Sequence, residues 1–205
     1  IRHILARHEQ SAAHMADGYA RASGRPGVCI ATSGPGATNL VTGIATAFAD
    51  SSPIIAITGQ VATPTIGKDS FQECDIVGIV TPVTKYAFQP MQPQEIPLVV
   101  KKAFKIASTG RPGPVLIDIP RDVQINVADM NFPKKVDIRG YNPHITPHPV
   151  QIKKAVDLLL NSDKPMIWSG GGVIISNAAT LLREIAELLM APVVTSLIGK
   201  GGFPE

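Results

Sequence analysis

Cysteine, aromatic side chains and blocks of like charge are all scarce in this sequence, and each scarcity removes a class of function. Only Cys29 and Cys74 occur, far apart and in ordinary contexts. Neither a disulfide framework nor a zinc–thiolate site is expected from them; they suit two reduced thiols in a cytoplasmic protein. Aromatic residues make up 5% of the 205 residues, and the formal net charge is only +3, with lysines and arginines scattered along the chain. Without a basic run interleaved with aromatics, no nucleic-acid partner is expected. No apolar run reaches the roughly 18 to 20 residues of a membrane span, and the first residues lack a signal-peptide pattern, so no membrane association is expected. The chain begins at Ile1 inside an apolar run, without an initiator methionine, which suggests a piece of a longer protein.

What is present is an alternation of apolar strands with amphipathic helices. Ile1 to Ala6 suits the end of a buried strand, and Ala12, Ala13, Met15, Ala16, Tyr19 and Ala20 then recur at helical spacing up to Gly24. Val28–Ser33, Pro53–Gly59, Lys85–Phe88 and Pro114–Ile119 read as further strands. Helices are expected over about Ala37–Asp50, over a short segment Phe71–Val80, and from Pro93 to about Ser108, where Ile96, Val99, Val100, Ala103, Phe104 and Ala107 share a face. Strands separated by helices of this length imply an α/β fold with a parallel sheet covered on both faces. From Pro120 to Pro149 there are five prolines and little periodicity, the composition of a linker. The α/β rhythm then resumes with a helix at Val150–Leu160, a strand at Met166–Ser169, a helix at Asn177–Met190 and a strand at Val193–Ser196.

Three places invite chemistry. Glu9 falls at a strand-to-helix junction, where parallel sheets bind ligands; it is either a helix-start residue favoured by the macrodipole or an acid/base group facing a cleft. The turn Ser33-Gly34-Pro35-Gly36 links a strand to a helix but lacks the spacing of a dinucleotide fingerprint or a P-loop, and a packing turn serves equally well. Gly170-Gly171-Gly172 either lets a ligand approach the backbone closely or merely turns the chain. Rival chemistries find no footing. His8-Glu9 has Ala12 where a zincin needs its second histidine, and His14 lies six residues from His8, off the same helix face. No G-x-S-x-G is present, and His144 and His148 sit in the linker, where solvated side chains are expected. Gly67-Lys68 is followed by Asp69 rather than Ser or Thr, so it is not a nucleotide loop.

The blocks RHEQSAAHMADGYARASG, ATSGPGATNLVTGIATAFADSSPIIAITGQV, IGKDSFQECDIVGI, RPGPVLIDIPRDVQ and WSGGGVIIS closely resemble the thiamine-diphosphate enzymes, specifically the acetolactate synthase (acetohydroxyacid synthase) catalytic subunits. The resemblance runs over nearly the whole chain in order. It implies a three-layer, parallel-sheet pyrimidine-binding domain at residues 1–122, N-terminally truncated, a linker at 123–148, and the beginning of a second, Rossmann-like middle domain at 149–205. Glu9 matches the glutamate that hydrogen-bonds the aminopyrimidine of the cofactor, and a buried carboxylate with its charged form disfavoured would share a proton there. Phe71 and Gln72 match residues of the catalytic region. Gly34, Pro35, Gly36 and Asn39 match the turn and helix beside the cofactor, and Gln60 belongs to the same cofactor-binding set. Arg111 matches an arginine that contacts FAD, with Gly170, Gly171 and Gly172 approaching that flavin. Arg121, Ala62 and Ser70 depart from the family's usual lysine, proline and alanine.

The implied activity is decarboxylation of pyruvate and transfer of its two-carbon unit to pyruvate or 2-ketobutyrate, in branched-chain amino-acid synthesis. The implied cofactors are thiamine diphosphate, FAD and Mg2+, with no metal ligands in this stretch of chain. The implied partners are small 2-keto acids, a second copy in a homodimer or larger homo-oligomer, and a regulatory small subunit. Alternatives are a pyruvate oxidase or sulfoacetaldehyde acetyltransferase type of enzyme, and, for the isolated stretch, an inactive dimerisation module; glyoxylate carboligase is disfavoured because it lacks a glutamate matching Glu9. The isolated stretch is expected to be inactive and to expose Ile167, Ile174, Leu182, Ile185 and Val194.

Overall fold

A computed structural model describes residues 1–143 and 146–204. His144, read above as a solvated histidine, lies outside the described residues. The chain divides into two compact units, Ile1–Pro143 and His144–Glu205.

The first unit is built on four parallel strands, β1 (Gly27–Ala31), β2 (Ile54–Gln60), β3 (Tyr86–Phe88) and β4 (Val115–Pro120), in the order β1-β2-β4-β3. Its helices are α1 (Glu9–Ser23), α2 (Pro35–Asn39), α3 (Val41–Ala49), α4 (Ile76–Val80), α5 (Ile96–Ser108) and α6 (Arg121–Ile125). Alternation along the central strands feeds two apolar layers. Ile54, Ala56 and Leu116 pack with Ala13, Ala16, Leu40, Ile44, Ile76 and Val80 from α1, α3, α4 and Leu40. Ile55, Val115, Ile117 and Ile119 pack with Ala103, Ile106 and Ala107 of α5. The parallel α/β sandwich expected from the pattern is therefore what forms. Toward the carboxyl ends of the strands the α1-side face turns polar: Thr58, Gln60 and Asp118 are buried there.

Helix α1 is held unusually close to its neighbours because the facing residues are small. A Cβ on Gly27 of β1 would lie 2.0 Å from the Ala16 carbonyl oxygen, and one on Gly43 of α3 would lie 2.4 Å from Ala13 Cβ. Its ends are defined locally. His8 caps the start, Nδ1 accepting from the Gln10 amide at 3.1 Å, and Gly24, left-handed at φ 67°, closes the last turn by donating to the Ala20 carbonyl. This fixes Glu9 as the first helical residue.

Several expectations are corrected. Ile1–Ala6 is not a strand in this structure: it pairs with none of the described strands, and Ile1, Ile4 and Leu5 are exposed. The helix expected over Ala37–Asp50 is two helices, broken at Leu40, whose N–H bonds the Ala37 carbonyl three residues back at 3.1 Å. The segment Phe71–Val80 becomes helical only at Ile76, because Gln72 is left-handed at φ 59° and Asp75 caps the helix by accepting from the Gly78 amide at 2.9 Å. Much of the proline-rich stretch belongs to the first unit. Ile138 and Tyr141 pack on the α5 side, Lys105 Nζ donates to the Val136 carbonyl at 2.7 Å, and the Tyr141 hydroxyl donates to the Thr109 carbonyl at 2.9 Å. Contacts of this kind leave no periodic trace in sequence.

In the second unit β5 (Ile167–Ser169) and β6 (Val193–Thr195) pair in parallel, with α7 (Pro149–Leu160), α8 (Gly172–Ile175) and α9 (Ala179–Leu189). Of the apolar residues expected to be exposed, Ile174, Ile185 and Val194 are, whereas Ile167 and Leu182 are partly covered. No helix among the described residues is long and apolar enough to cross a membrane. Both cysteines are free, and burial pushes the Cys29 thiol up to about 12, which leaves it unreactive.

Candidate active site

The carboxyl ends of β1 and β2, the start of α1 and the loop 61–74 meet at one place. Glu9, half-buried at the first turn of α1, accepts a hydrogen bond at Oε2 from Asn39 Nδ2 at 3.1 Å. Asn39 ends α2, thirty residues away in sequence, and is brought there by the turn that follows β1. Gly34 makes that turn possible. Its φ is 58°, and a Cβ there would stand 2.6 Å from the Gln72 carbonyl oxygen, so no other residue fits without moving the backbone. Pro35 opens α2 at the position where a missing N–H costs nothing. Gly36 is the floor beside Glu9: a Cβ on it would lie 2.7 Å from Thr32 Cγ2 and 3.4 Å from Glu9 Oε1.

Glu9, Gly34, Gly36, Asn39 and Gln72 are thus brought together, Gln72 through its backbone. Phe71 stands at the loop tip with 89% of its surface exposed. The charge state of Glu9 corrects the expectation of a buried, proton-retaining carboxyl. The Asn39 amide, helped by the backbone amide of Glu9 itself, favours the charged form and holds its carboxyl below the usual range. The two partners lie thirty residues apart, which is why neither motif alone revealed it.

Gln60 is placed otherwise. It is buried, and its amide is spent inward: Nε2 donates to the Cys74 carbonyl at 2.7 Å and to Asp118 Oδ2 at 3.0 Å, and Oε1 accepts from the Val61 amide at 2.9 Å. Asp118, fully buried, also accepts from Thr58 Oγ1 at 2.7 Å and from Gln89 Nε2 at 2.9 Å. Burial pushes the Asp118 carboxyl upward, against these three donors. Sequence reading missed Asp118 altogether. The signal available was a carboxylate inside the apolar run PVLIDI, a pattern that demands partners. Glu73 shapes the loop tip, accepting from the Gly67 and Ser70 amides, which hold its carboxyl below the usual range.

Arg111 belongs to the first unit, where Nε donates to Ser51 Oγ at 2.7 Å and Nη2 to the Ala49 carbonyl at 3.2 Å. Gly170–Gly172 follow β5 in the second unit. A Cβ on Gly171 would lie 2.7 Å from Ile198 Cγ2, a packing contact, while Gly172 meets nothing within 4 Å. Beside them Ser169 Oγ is buried without a hydrogen-bond partner among the described residues. No group of three or more His, Cys, Asp or Glu that could hold a metal ion occurs among the described residues.

Chemically, the first-unit site offers an anionic carboxylate with one oxygen engaged and the other facing a glycine floor. Such a carboxylate can exchange a proton with a nitrogen base placed against Oε1.

Two protein-family models match the chain. Residues 1–79 match the one described as thiamine pyrophosphate enzyme, N-terminal TPP binding domain, and residues 152–205 match thiamine pyrophosphate enzyme, central domain. Among curated proteins, the chain is 60% identical over 206 residues to the probable acetolactate synthase large subunit of Methanocaldococcus jannaschii, an alignment covering 99% of this chain and 35% of that protein. It is 54% identical to the acetolactate synthase large subunit of Buchnera aphidicola, over 100% of this chain and 36% of that protein. It is 52% identical to the acetolactate synthase isozyme 3 large subunit of Escherichia coli, again over 100% of this chain and 36% of that protein. The chain therefore spans about a third of the length of the curated relatives it matches.

Proposed function

Because the chain belongs to the thiamine pyrophosphate enzymes, we propose that it is part of an acetolactate synthase large subunit and that Glu9 is its proton-handling residue. The observation that carries this reading is the Glu9–Asn39 pair over the Gly36 floor. When bound, thiamine diphosphate supplies the electron sink for loss of carbon dioxide from pyruvate and the carbon nucleophile that passes the two-carbon unit to pyruvate or 2-ketobutyrate.

The chain's own work is narrower. Asn39 favours the charged form of Glu9 and orients it, leaving Oε1 as the oxygen that exchanges a proton with a ring nitrogen. Gly36 keeps a side chain out of the space beside that oxygen, Gly34 lets the turn close against the Gln72 backbone, and Pro35 stiffens the turn. Gln72 and the exposed Phe71 sit on the neighbouring loop and face the second 2-keto acid. A positioned proton transfer of this kind is typically worth about 10²- to 10⁴-fold in rate.

The reading extends to FAD held near Gly170–Gly172, where Ser169 Oγ needs a partner, and to Mg2+, whose ligands would come from outside these residues. A flavin contact of Arg111 would compete with the bonds its guanidinium makes to Ser51 and Ala49. The relatives are named large subunits, so the proposed partners are a small regulatory subunit and a second copy of the chain, in the cytoplasm.

The test is Glu9→Gln in the full-length protein. The shape is kept but the proton cannot be exchanged, so acetolactate formation from pyruvate should fall by about 10²- to 10⁴-fold with the melting temperature nearly unchanged. Near-normal turnover would overturn the assignment.

A further inference from the structure

The loop from Val61 to Cys74 is closed by one side chain. Gln60 Oε1 takes the N–H of Val61, the residue that opens the loop, and Gln60 Nε2 gives a hydrogen to the carbonyl of Cys74, the residue that ends it. These two bonds fix which way the amide points, so toward Asp118 it can only donate. Gln89 also donates to Asp118, and Thr58 brings a hydroxyl proton. Gln60 and Gln89 both donate to Oδ2, so the side chain at 118 must present an acceptor there, whereas toward the Thr58 hydroxyl, which can donate or accept, either kind of atom serves. That is a physical reason for a fully buried acceptor in the middle of an apolar strand, where burial alone would exclude it.

We propose that Gln60 and Asp118 are positioning residues: they cinch the 61–74 loop and thereby set where Gln72 and Phe71 stand beside the Gly34 turn. The inference rests on the reading of Gln72 given above. The tip cannot hold this position unaided. Glu73 ties Gly67 and Ser70 into one piece, and Asp122 grips Thr63 at its amide, 2.9 Å away, and its hydroxyl. Within that piece the Gln72 backbone comes close to Gly34. Releasing the cinch at Cys74 frees the half of the loop that carries Gln72.

Lys68 is the only lysine or arginine between residues 61 and 74, and it is exposed, so trypsin reports the opening of this loop directly. In the full-length protein, Gln60→Met and Asp118→Leu should speed cleavage after Lys68 by about tenfold, the effect of losing one buried hydrogen bond on a local opening. With pyruvate and 2-ketobutyrate supplied together, both variants should shift the ratio of the two products in the direction that Gln72→Ala shifts it. Should Asp118→Leu fail to fold, Gln60→Met carries the test alone. Unchanged cleavage in a folded Gln60→Met overturns the proposal. So does faster cleavage with an unmoved ratio when Gln72→Ala does move it. If Gln72→Ala leaves the ratio alone while Gln60→Met still exposes Lys68, the cinch stands and it is the reading of Gln72 that falls.

Discussion

The two units spend the same kind of sequence differently. In the first, β2 and β4 are buried on both faces, with Ile54, Ile55, Leu116 and Ile117 fully covered by helices on either side. In the second, α7 buries no residue and α9 buries only Ala186, while Leu158, Leu160, Trp168, Leu181 and Leu188 stay exposed. Yet α9 has as clear an apolar stripe as any helix in the chain. An amphipathic pattern states which face seeks cover; it does not supply the cover. Stability accrues only where a second layer closes over the first.

The sharpest way to break that comparison is to separate the units. Residues 1–143 expressed alone should melt in a single cooperative transition, and residues 144–205 alone should show none and should bind a hydrophobic dye. A sharp melt from the second piece would mean that its exposed apolar faces close on one another. A smaller effect sharpens it residue by residue. Leu116→Ala, in a strand where nothing is exposed, should cost about 2–5 kcal/mol in denaturant unfolding of residues 1–143. Leu188→Ala, at a site with 83% exposure, should change the whole chain by no more than about 0.5 kcal/mol. Comparable losses at both sites would show that α9 is covered in solution.

The smallest effect lies at the surface of the first unit and depends on pH. The Thr63 hydroxyl and amide hold the Asp122 carboxyl below its ordinary value of 3.8. A depressed folded value means that this contact stabilises the protein above 3.8 and is lost as the pH falls through the folded value. The melting temperature of Asp122→Asn should therefore trail the wild type slightly at neutral pH and converge with it in acid. A gap that widens on acidification would refute the contact's sign.

What the sequence disclosed follows the same division. Strands such as Ile54–Gln60 and Val115–Pro120 were legible because continuous β-branched and apolar runs bounded by glycine and proline have few other uses, and α5 because its stripe is regular. Glu9 was legible as a junction residue. The extra preference for its charged form was not, because that depends on Asn39 arriving from another helix. The start of α4 was hidden by the left-handed backbone at Gln72, a conformation that glutamine does not advertise. Gln60 and Asp118 are 58 residues apart, and no local pattern couples a polar residue at one strand end to an acid in the next. The strap carrying Ile138 and Tyr141 lacks periodicity because it lies along a surface instead of forming an element of its own.

Gly36 carries a consequence for how this site can vary. A single methyl added there would fall 2.7 Å from Thr32 Cγ2, so positions 32 and 36 share the room for one methyl group between them. Gly36→Ala needs that group moved aside, by rotation of the exposed Thr32 side chain or by Thr32→Ser. The choice at 32 therefore sets how readily position 36 gains a side chain next to Glu9, and the larger residue at one position is expected to go with the smaller at the other.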